Sequence, residues 1–221
     1  MSLVWSHVIT SDALGAGNLV GRTPTTGSAW ALLSGSSPYI SASGSSALFD
    51  SSYSQCAPAT DPANTTQSVE VSCKPTSADS SIIGAYLRAS SDGQTYYELR
   101  IRRSFGTNSL QITAITPGPS YRTIDDYSYS LTIGTTYTCV FEVADVSGDP
   151  VLTVKVDGST IRSITDSHAS KLTTGTKVWV TGRDVELNSA SLNDGSGGGS
   201  SSVPLTGGLV QGILTKGRLI A

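Results

Sequence analysis

Short segments in which apolar and polar residues alternate recur along the chain up to about residue 192. The alternation is clearest in 69–73, 97–102 and 137–143, where one set of alternate residues is apolar and the other mostly polar. A β-strand points successive side chains to opposite faces, so this period indicates antiparallel sheets with one face packed inward. No helical period persists for three turns. The pattern therefore predicts an all-β protein.

Turn signals separate the predicted strands, and Asp157-Gly158 is the best two-residue hairpin signal in the chain. The strands predicted from the alternation are Leu3–Ile9, Ala29–Leu33, Tyr39–Ala42, Ala47–Phe49, Ser68–Lys74, Ile82–Ala89, Tyr96–Arg103, Leu110–Ile115, Tyr137–Val146, Leu152–Val156, Thr160–Ser163, Lys177–Val180 and Val185–Leu192. The residues predicted to face the core include Val71, Leu99, Ile101, Val140, Leu152, Val154 and Val156.

Length, composition and charge narrow the class of protein. The chain has 221 residues, 38% of them hydrophobic and 14% charged, and single all-β domains commonly reach this size. The net charge of −3 supplies no basic field for a phosphate backbone, and no segment approaches the roughly 20 apolar residues of a membrane span. We expect neither nucleic acid nor a membrane as partner.

The densest cationic group is Arg100, Arg102 and Arg103, which we interpret as a solvated strand face.

Three cysteines, Cys56, Cys73 and Cys139, are an odd number at wide and irregular spacing. This is neither a disulfide framework nor a zinc pattern. We interpret all three as small buried hydrophobic residues. A disulfide between Cys56 and Cys73 stays open as an alternative if their strands are neighbours.

The chain changes character after residue 193. Residues 194–202 have the composition of a flexible Gly/Ser linker, so the sandwich is expected to span 1–193. The segment 203–221 combines seven large aliphatic residues with glycines and two cations, and we predict that it binds a partner. The residues expected to make this contact are Leu205, Leu209, Val210, Ile213, Leu214, Lys216, Arg218, Leu219 and Ile220. The partner is a second copy of the chain or a particle shell, with folding back onto its own sandwich as the alternative.

The segment 134–166, GTTYTCVFEVADVSGDPVLTVKVDGSTIRSITD, resembles the concanavalin A-like, laminin-G-like superfamily. In that superfamily a G-x-x-Y-x-hydrophobic-x-hydrophobic strand precedes a hydrophobic-x-V-x-V-D-G hairpin. Residues 19–30 with Asp12, and residues 96–101, are similar to the opening and the mid-sheet strand of such domains in bacteriophage and bacterial surface proteins. The resemblance covers residues 3–193 and implies a two-sheet antiparallel jelly-roll sandwich.

The laminarinase-like enzymes of this superfamily carry two Glu and one Asp alternating along one strand. A retaining glycosidase needs an acid and a nucleophile about 5 Å apart. In this chain Glu70 and Glu98 are each alone on their strands, and Asp125 and Asp126 are adjacent, so a strand would point them to opposite faces. We therefore expect a protein that is not an enzyme and needs no cofactor.

Members of the superfamily can hold a calcium ion, which implies a structural calcium as a further expectation. Oxygen ligands of the right kind are Asp12, Asp184, Asn193 and Asp194, near the predicted first and last strands.

Four tyrosines are candidate glycan-binding residues because they fall in or near predicted loops. Aromatic rings can stack on sugar rings, but these side chains can equally cover the edge of the sandwich. The four are Tyr53, Tyr121, Tyr127 and Tyr129. The tryptophans Trp5, Trp30 and Trp179 are expected in strands and in the core.

The sequence is compatible with two functions. The first is a bacteriophage virion structural protein of decoration or fibre type that presents a lectin-like sandwich on the particle surface, with other virion proteins or a second copy as partners. The N-terminus lacks the basic start and apolar run of a signal peptide, so synthesis in the host cytoplasm and residence in the virion are expected. The alternative is a carbohydrate-binding receptor-recognition module of a tail fibre or a bacterial adhesin, with a cell-surface glycan as ligand.

Overall fold

The computed structural model describes residues 2–8, 17–22, 29–34, 39–40, 46–51, 53–58, 64–104, 107–116 and 120–194. All regular secondary structure within these ranges is β-strand. The strands are β1 Ser2–Val8, β2 Gly17–Asn18, β3 Trp30–Ser34, β4 Tyr39–Ile40, β5 Ala47–Phe49, β6 Ser54–Pro58, β7 Gln67–Pro75, β8 Ile82–Ala89, β9 Tyr96–Ser104, β10 Thr107–Thr116, β11 Ser120–Ser128, β12 Tyr137–Val146, β13 Asp149–Val156, β14 Ser159–Thr165, β15 Lys177–Arg183 and β16 Val185–Asp194. In this part of the chain no helix has the length and hydropathy of a membrane span.

The strands form two antiparallel sheets. Sheet A has nine strands in the order β14-β13-β12-β7-β16-β5-β4-β2, with β1 also paired to β16. Sheet B has seven strands in the order β11-β10-β9-β8-β15-β6-β3. Neighbouring strands in the sheets are often distant in sequence, as with β7 and β12 or β8 and β15. The prediction of an all-β, two-sheet antiparallel sandwich is confirmed.

The core lies between the two sheets and is formed by alternate residues of the long strands. On β9 the buried set is Tyr97, Leu99 and Ile101, and the opposite sheet contributes residues of β7, β12 and β13. Six of the residues predicted to face inward are buried: Val71, Leu99, Ile101, Leu152, Val154 and Val156.

The prediction for Val140 was wrong. On β12 the inward positions belong to Cys139, Phe141 and Val143, which are fully buried. Val140 lies between the first two, so the strand points it to the outer face of sheet A, where it is half-buried. The prediction failed because Val140 is an apolar residue at an outward position, which the alternation of apolar and polar residues does not reveal.

The hairpin at Asp157-Gly158 is confirmed. Val156 pairs directly with Ser159, and the two residues between them have φ angles of 48° and 79°. Positive φ at both central positions is the type I′ geometry that matches the twist of paired strands, and Asp-Gly favours it.

Sequence analysis missed three strands: β2, β6 and β11. The strand β11 is hidden because its residues are polar and mostly exposed. It is an edge strand of sheet B, and of its inward residues Ile124 packs against the core while Arg122 and Asp125 form ion pairs. Tyr121 and Tyr127 therefore lie in a strand and not in a loop.

Two arginine–aspartate pairs close the sandwich where β11 faces β14. Arg162 donates to both oxygens of Asp125 at 2.6 and 2.9 Å, and Arg122 donates to both oxygens of Asp166 at 2.9 and 2.7 Å. The bond from Arg162 is the main cause that holds the pKa of Asp125 below its ordinary value. Burial by itself raises the pKa of Asp166, but bonds from Arg122 and Tyr97 outweigh it, and that pKa is lowered as well. Both pairs therefore persist into mildly acidic solution.

The far end of β8 is anchored by Arg88, whose side chain is fully buried. Its Nε donates to the carbonyl of Thr65 and its Nη1 to the carbonyl of Leu172, both at 2.8 Å. Nη2 forms an ion pair with Asp145 at 2.8 Å. These contacts satisfy a charge that would otherwise be costly to bury, and they tie sheet B to β12 of sheet A.

The three cysteines are free and buried, as predicted. Cys56 lies on β6 of sheet B and Cys73 on β7 of sheet A, so the alternative of a disulfide between neighbouring strands is wrong. The neighbour of Cys73 is Cys139 on β12, with 4.0 Å between the sulfurs. Burial raises the pKa of Cys56 to about 12, so this thiol is unreactive at neutral pH.

The sandwich extends one residue beyond the predicted boundary, because Asp194 ends β16 and is buried. The rest of the predicted linker and the whole segment 203–221, with all its predicted partner-binding residues, lie outside the described residues.

The direction in which side chains of β9 and β12 point predicts the stability of two variants. Leu99→Ala should lower the free energy of unfolding by about 2–5 kcal/mol, because it leaves a cavity in the core. Val140→Ala should lower it by about 1 kcal/mol or less, because that side chain stands on an outer face. Urea unfolding of both variants tests this, and equal losses would contradict the facing described here.

Candidate functional site

The outward residues of sheet B form a continuous surface of aromatic and polar side chains, here called the outer face of sheet B. The strand register arranges them in rows across the sheet. One row runs Trp179, Tyr86, Glu98, Thr113, Thr123 from β15 to β11. The next row runs Thr181, Gly84, Arg100, Gln111, Asp126.

An aromatic cluster occupies one half of this face. Tyr86 and Trp179 pack together with Ala89, and Tyr53 and Tyr96 pack against them. The rings of Tyr86 and Tyr96 are stacked, with centroids 4.1 Å apart and planes 11° from parallel. Trp179 is 7% exposed and Tyr86 4%, so they form the floor, while Tyr96 is more exposed.

Tyr121 extends this aromatic surface toward the edge of the sheet. The register places Ile115 between Tyr96 and Tyr121, and Tyr121 is 70% exposed. The half-exposed Tyr96 and the exposed Tyr121 therefore present aromatic surface to solvent on the same side of the molecule.

A chain of hydrogen bonds crosses the middle of the face. Glu98 accepts from the hydroxyl of Tyr53 at 3.0 Å and from Nη1 of Arg100 at 2.9 Å, both at the same carboxylate oxygen. Nη2 of Arg100 donates to Gln111 at 2.6 Å. The amide of Gln111 in turn donates to Asp126 at 3.3 Å. Each polar side chain is thus held in one orientation by its neighbour.

The tyrosines of the cluster are hydrogen-bond donors over the whole ordinary pH range. Burial is the main cause that raises the pKa of Tyr53 to about 12, and the charge of Glu98 adds to it. Burial likewise raises the pKa of Tyr86 and of Tyr96. The hydroxyl of Tyr86 also accepts from Nε2 of Gln55 at 2.8 Å.

Gly84 sets the spacing between β8 and β9 under this network. A Cβ at this position would lie 2.4 Å from the carbonyl oxygen of Leu99 and 2.8 Å from Cβ of Arg100. Only a residue without a side chain allows the stem of Arg100 to pack this closely against β8. The glycine therefore positions the central arginine of the face.

The four tyrosines predicted as glycan-binding residues have different positions. Tyr53 and Tyr121 lie on the outer face of sheet B. Tyr127 points to the closed edge, where the guanidinium of Arg162 lies 4.8 Å from its ring centroid, and Tyr129 is half-buried against the main core. Tyr127 and Tyr129 thus lie away from the outer face of sheet B, and their role in glycan binding stays a prediction.

Trp179 lies on β15 and is buried, as predicted, but it packs in a second, smaller hydrophobic cluster with Tyr86 and Ala89 on the outer face of sheet B and not between the sheets. Trp30 is buried in the core as expected. Sequence analysis missed Tyr86, Tyr96 and Gln111 altogether. A usable signal was present: aromatic, acidic and basic residues alternate on the outward positions of β9, where a plain solvated strand would carry small polar residues.

The predicted calcium ligands that the structure describes do not all lie together. Asp184 lies at the turn before β16 and Asp194 at the end of that strand, roughly 30 Å apart at the usual rise of a strand. They cannot bind one ion. Among the described residues no three His, Cys, Asp or Glu side chains are grouped as a metal site, and Asp12 lies outside them.

The carboxylates are arranged as the sequence predicted. Glu70 is exposed on sheet A and Glu98 lies on sheet B, so they are in different sheets. Asp125 points to Arg162 at the closed edge, while Asp126 points outward to Gln111. Glu98 is already held by Tyr53 and Arg100.

This architecture is a two-sheet antiparallel jelly-roll sandwich. No protein-family model matches the chain, and no curated protein sequence matches it. Solved structures do match in fold, and identities as low as theirs show the fold alone.

Three of these structures illustrate the likeness. The carbohydrate recognition domain of Emp46p, in its potassium-bound form, gives a TM-score of 0.54 at 9% identity and covers 82% of this chain and 96% of that chain. The CBM2 module of the evolved Dit protein of Lactobacillus casei BL23 phage J-1 gives 0.51 at 10% identity, with 86% and 94% covered. Bacillus licheniformis beta-glucanase gives 0.52 at 11% identity, with 83% and 100% covered.

The raised pKa of Tyr53 predicts a loss of stability in alkali. A phenol whose pKa is about 12 in the folded protein and about 10 in the unfolded chain stabilises the fold below pH 10. This contribution is lost as pH rises through 12. Tyr53→Phe should therefore lose less stability than the wild type between pH 10 and 12. Urea unfolding across this range measures it, and an unchanged slope would show that Tyr53 is not buried beside Glu98.

Proposed function

We propose that the chain is a lectin-like module that binds carbohydrate on the outer face of sheet B. The observation that carries this proposal is the juxtaposition of two solvent-accessible aromatic rings, one half-buried and one exposed, with a pre-oriented polar network. Tyr96 and Tyr121 supply the rings, and Arg100, Gln111 and Asp126 supply the donors and acceptors.

The chemistry of this face suits a sugar. A pyranose ring has C–H surfaces that pack on aromatic rings and a rim of hydroxyls that donate and accept hydrogen bonds. Guanidinium, amide and carboxylate groups held by their neighbours lose little freedom when a ligand binds, so they favour affinity. The described outward residues of sheet B provide both features within two or three strands.

The fold supports the same proposal. The Emp46p domain and the phage J-1 module are named as carbohydrate-recognition and carbohydrate-binding structures, and they share this architecture. We extend this type of ligand, a carbohydrate, to the present chain.

We further propose that the face binds without cleaving. Retaining hydrolysis needs two carboxyl groups about 5 Å apart, one as acid and one as nucleophile. Glu98 and Asp126 lie in different rows and two strands apart, with Arg100 and Gln111 hydrogen-bonded between them. Both carboxylates are occupied by protein partners.

The proposal predicts which variants lose binding. On an array of oligosaccharides, the wild-type protein should retain a defined glycan, and Tyr96→Ala and Tyr121→Ala should weaken its binding about tenfold or more, because each removes an exposed ring. Val146→Ala is the matched control, since Val146 is 57% exposed but lies on β12 of sheet A. Loss of binding in the control alone, or no glycan retained at all, would sink the proposal.

Incubation with the retained polysaccharide should release no new reducing ends. The comparison is with Glu98→Gln, which removes the central carboxylate of the face. Turnover that saturates with substrate and disappears in Glu98→Gln, or in Glu70→Gln, would overturn the interpretation as a binding protein.

A second candidate function concerns where the module is carried. The apolar segment 203–221 follows a Gly/Ser stretch, and a phage protein carries a module of the same fold. These two observations favour a bacteriophage virion protein of decoration or fibre type, in which the segment attaches the sandwich to the particle or to a second copy.

Deletion of residues 203–221 tests this second candidate. The shortened protein should keep nearly the same thermal stability as a monomer, while the full chain should assemble or co-sediment with virions. If the deletion unfolds the sandwich and the intact protein is monomeric and free of partners, the segment belongs to the core and the attachment role is wrong.

A further inference from the structure

Two arginines lie at the end of the outer face of sheet B that is remote from the aromatic cluster. The register pairs Arg183 on β15 with Ile82 on β8, and Ile82 with Arg102 on β9. Arg102 follows Arg100 by two residues and therefore points from the same face. Two arginine residues thus lie on either side of one half-buried isoleucine, one row beyond the network around Arg100.

These arginines differ from Arg100 in how their charge is compensated. Arg100 forms an ion pair with Glu98. Arg102 donates from Nε to the neutral hydroxyl of Ser109 at 3.1 Å, and none of the described carboxylates is paired with it.

The positive charge of Arg183 is also weakly compensated. Its side chain is 40% exposed. Its nearest described carboxylate is Asp184, at 3.8 Å from Nε, and that carboxylate already accepts a hydrogen bond from Ser80. The Nε atom itself is buried and has no hydrogen-bond partner. The side chain as a whole is 40% exposed, so an acceptor from solvent can reach its remaining donors.

The cationic end is a local feature, because the chain as a whole carries a net charge of −3. The described carboxylate nearest to Arg183 is that of Asp184, which already accepts a hydrogen bond from Ser80, so positive charge at this end is incompletely compensated at a cost in free energy. An external anion would remove that cost. The planar fork of donors on arginine matches carboxylate and sulfate groups in particular.

We infer that the glycan bound by this face is acidic, with a carboxylate or sulfate group held between Arg102 and Arg183 while its sugar rings contact Tyr96 and Tyr121. This inference rests on the proposed function and adds the class of ligand. Tyr96 and Arg102 are six residues apart on β9, which corresponds to about 20 Å along the strand. The ligand therefore spans more than one sugar unit.

The test uses the full chain on a panel of neutral, uronate-containing and sulfated oligosaccharides of matched length. The uronates and the sulfates distinguish the two sources of negative charge. The strongest uronate binder is also measured as its methyl ester, which keeps the ring and removes the charge. Binding is followed by calorimetry at low salt and at about 150 mM salt, where screening weakens exposed charge pairs.

The wild type should prefer an acidic glycan over its neutral counterpart by about tenfold or more, and salt should reduce this preference. Arg102→Gln and Arg183→Gln should each remove about tenfold of the affinity for the acidic glycan and leave affinity for the neutral one unchanged. Lys155→Gln is the control, because it removes one positive charge from β13 of sheet A, where Lys155 pairs with Glu142.

The outcomes separate the two proposals. Retention of neutral glycans alone, with loss in Tyr96→Ala, would overturn the acidic ligand and leave the lectin-like function standing. Acidic binding that is equally strong in Arg102→Gln, Arg183→Gln and Lys155→Gln would also overturn the inference. If no glycan binds, both proposals fail, and thermal unfolding of each variant confirms that the protein is folded in every measurement.

Discussion

The alternation of β9 is the constraint on which both the core and the candidate site depend. Its odd-numbered residues Tyr97, Leu99 and Ile101 are buried between the sheets. Its even-numbered residues, from Tyr96 to Arg102, therefore stand on the outer face. A shift of one residue in register would exchange the two sets, and burial of the aliphatic set prevents this. Burial of the aliphatic residues in the core thus also fixes the spacing of the polar side chains on the outer face of sheet B.

One edge of the sandwich depends on charge as well as on aliphatic packing. Where β11 meets β14, two bidentate arginine–aspartate pairs add to the apolar contacts of Ile124 and Ile161. Bidentate geometry and partial burial make such pairs stronger than exposed ion pairs. Since β11 also carries Tyr121 and Asp126, these pairs hold the margin of the candidate site in place. The same polar edge explains why the strand was hard to recognise.

Sequence patterns predicted the fold well where burial is one-sided. Strands such as β7, β9 and β13 carry their apolar residues at every second position, and the Asp157-Gly158 turn follows from its two residues alone. The patterns did not predict the role of Trp179, because an outward aromatic residue looks like a core residue in one dimension. Nor did they predict the hydrogen bonds that join Glu98, Arg100 and Gln111, since the pairing of β9 and β10 is a property of the folded sheet.

The central claim is that the ligand binds on the outer face of sheet B. Nuclear magnetic resonance of the labelled protein, titrated with the oligosaccharide that binds best, tests it most directly. Binding on this face should change the chemical shifts of the backbone amides of 96–102 and of Tyr121. The amides of Glu70, Val140 and Lys155 on sheet A should keep their chemical shifts. Shifts confined to sheet A, with β9 and β11 unaffected, would contradict it.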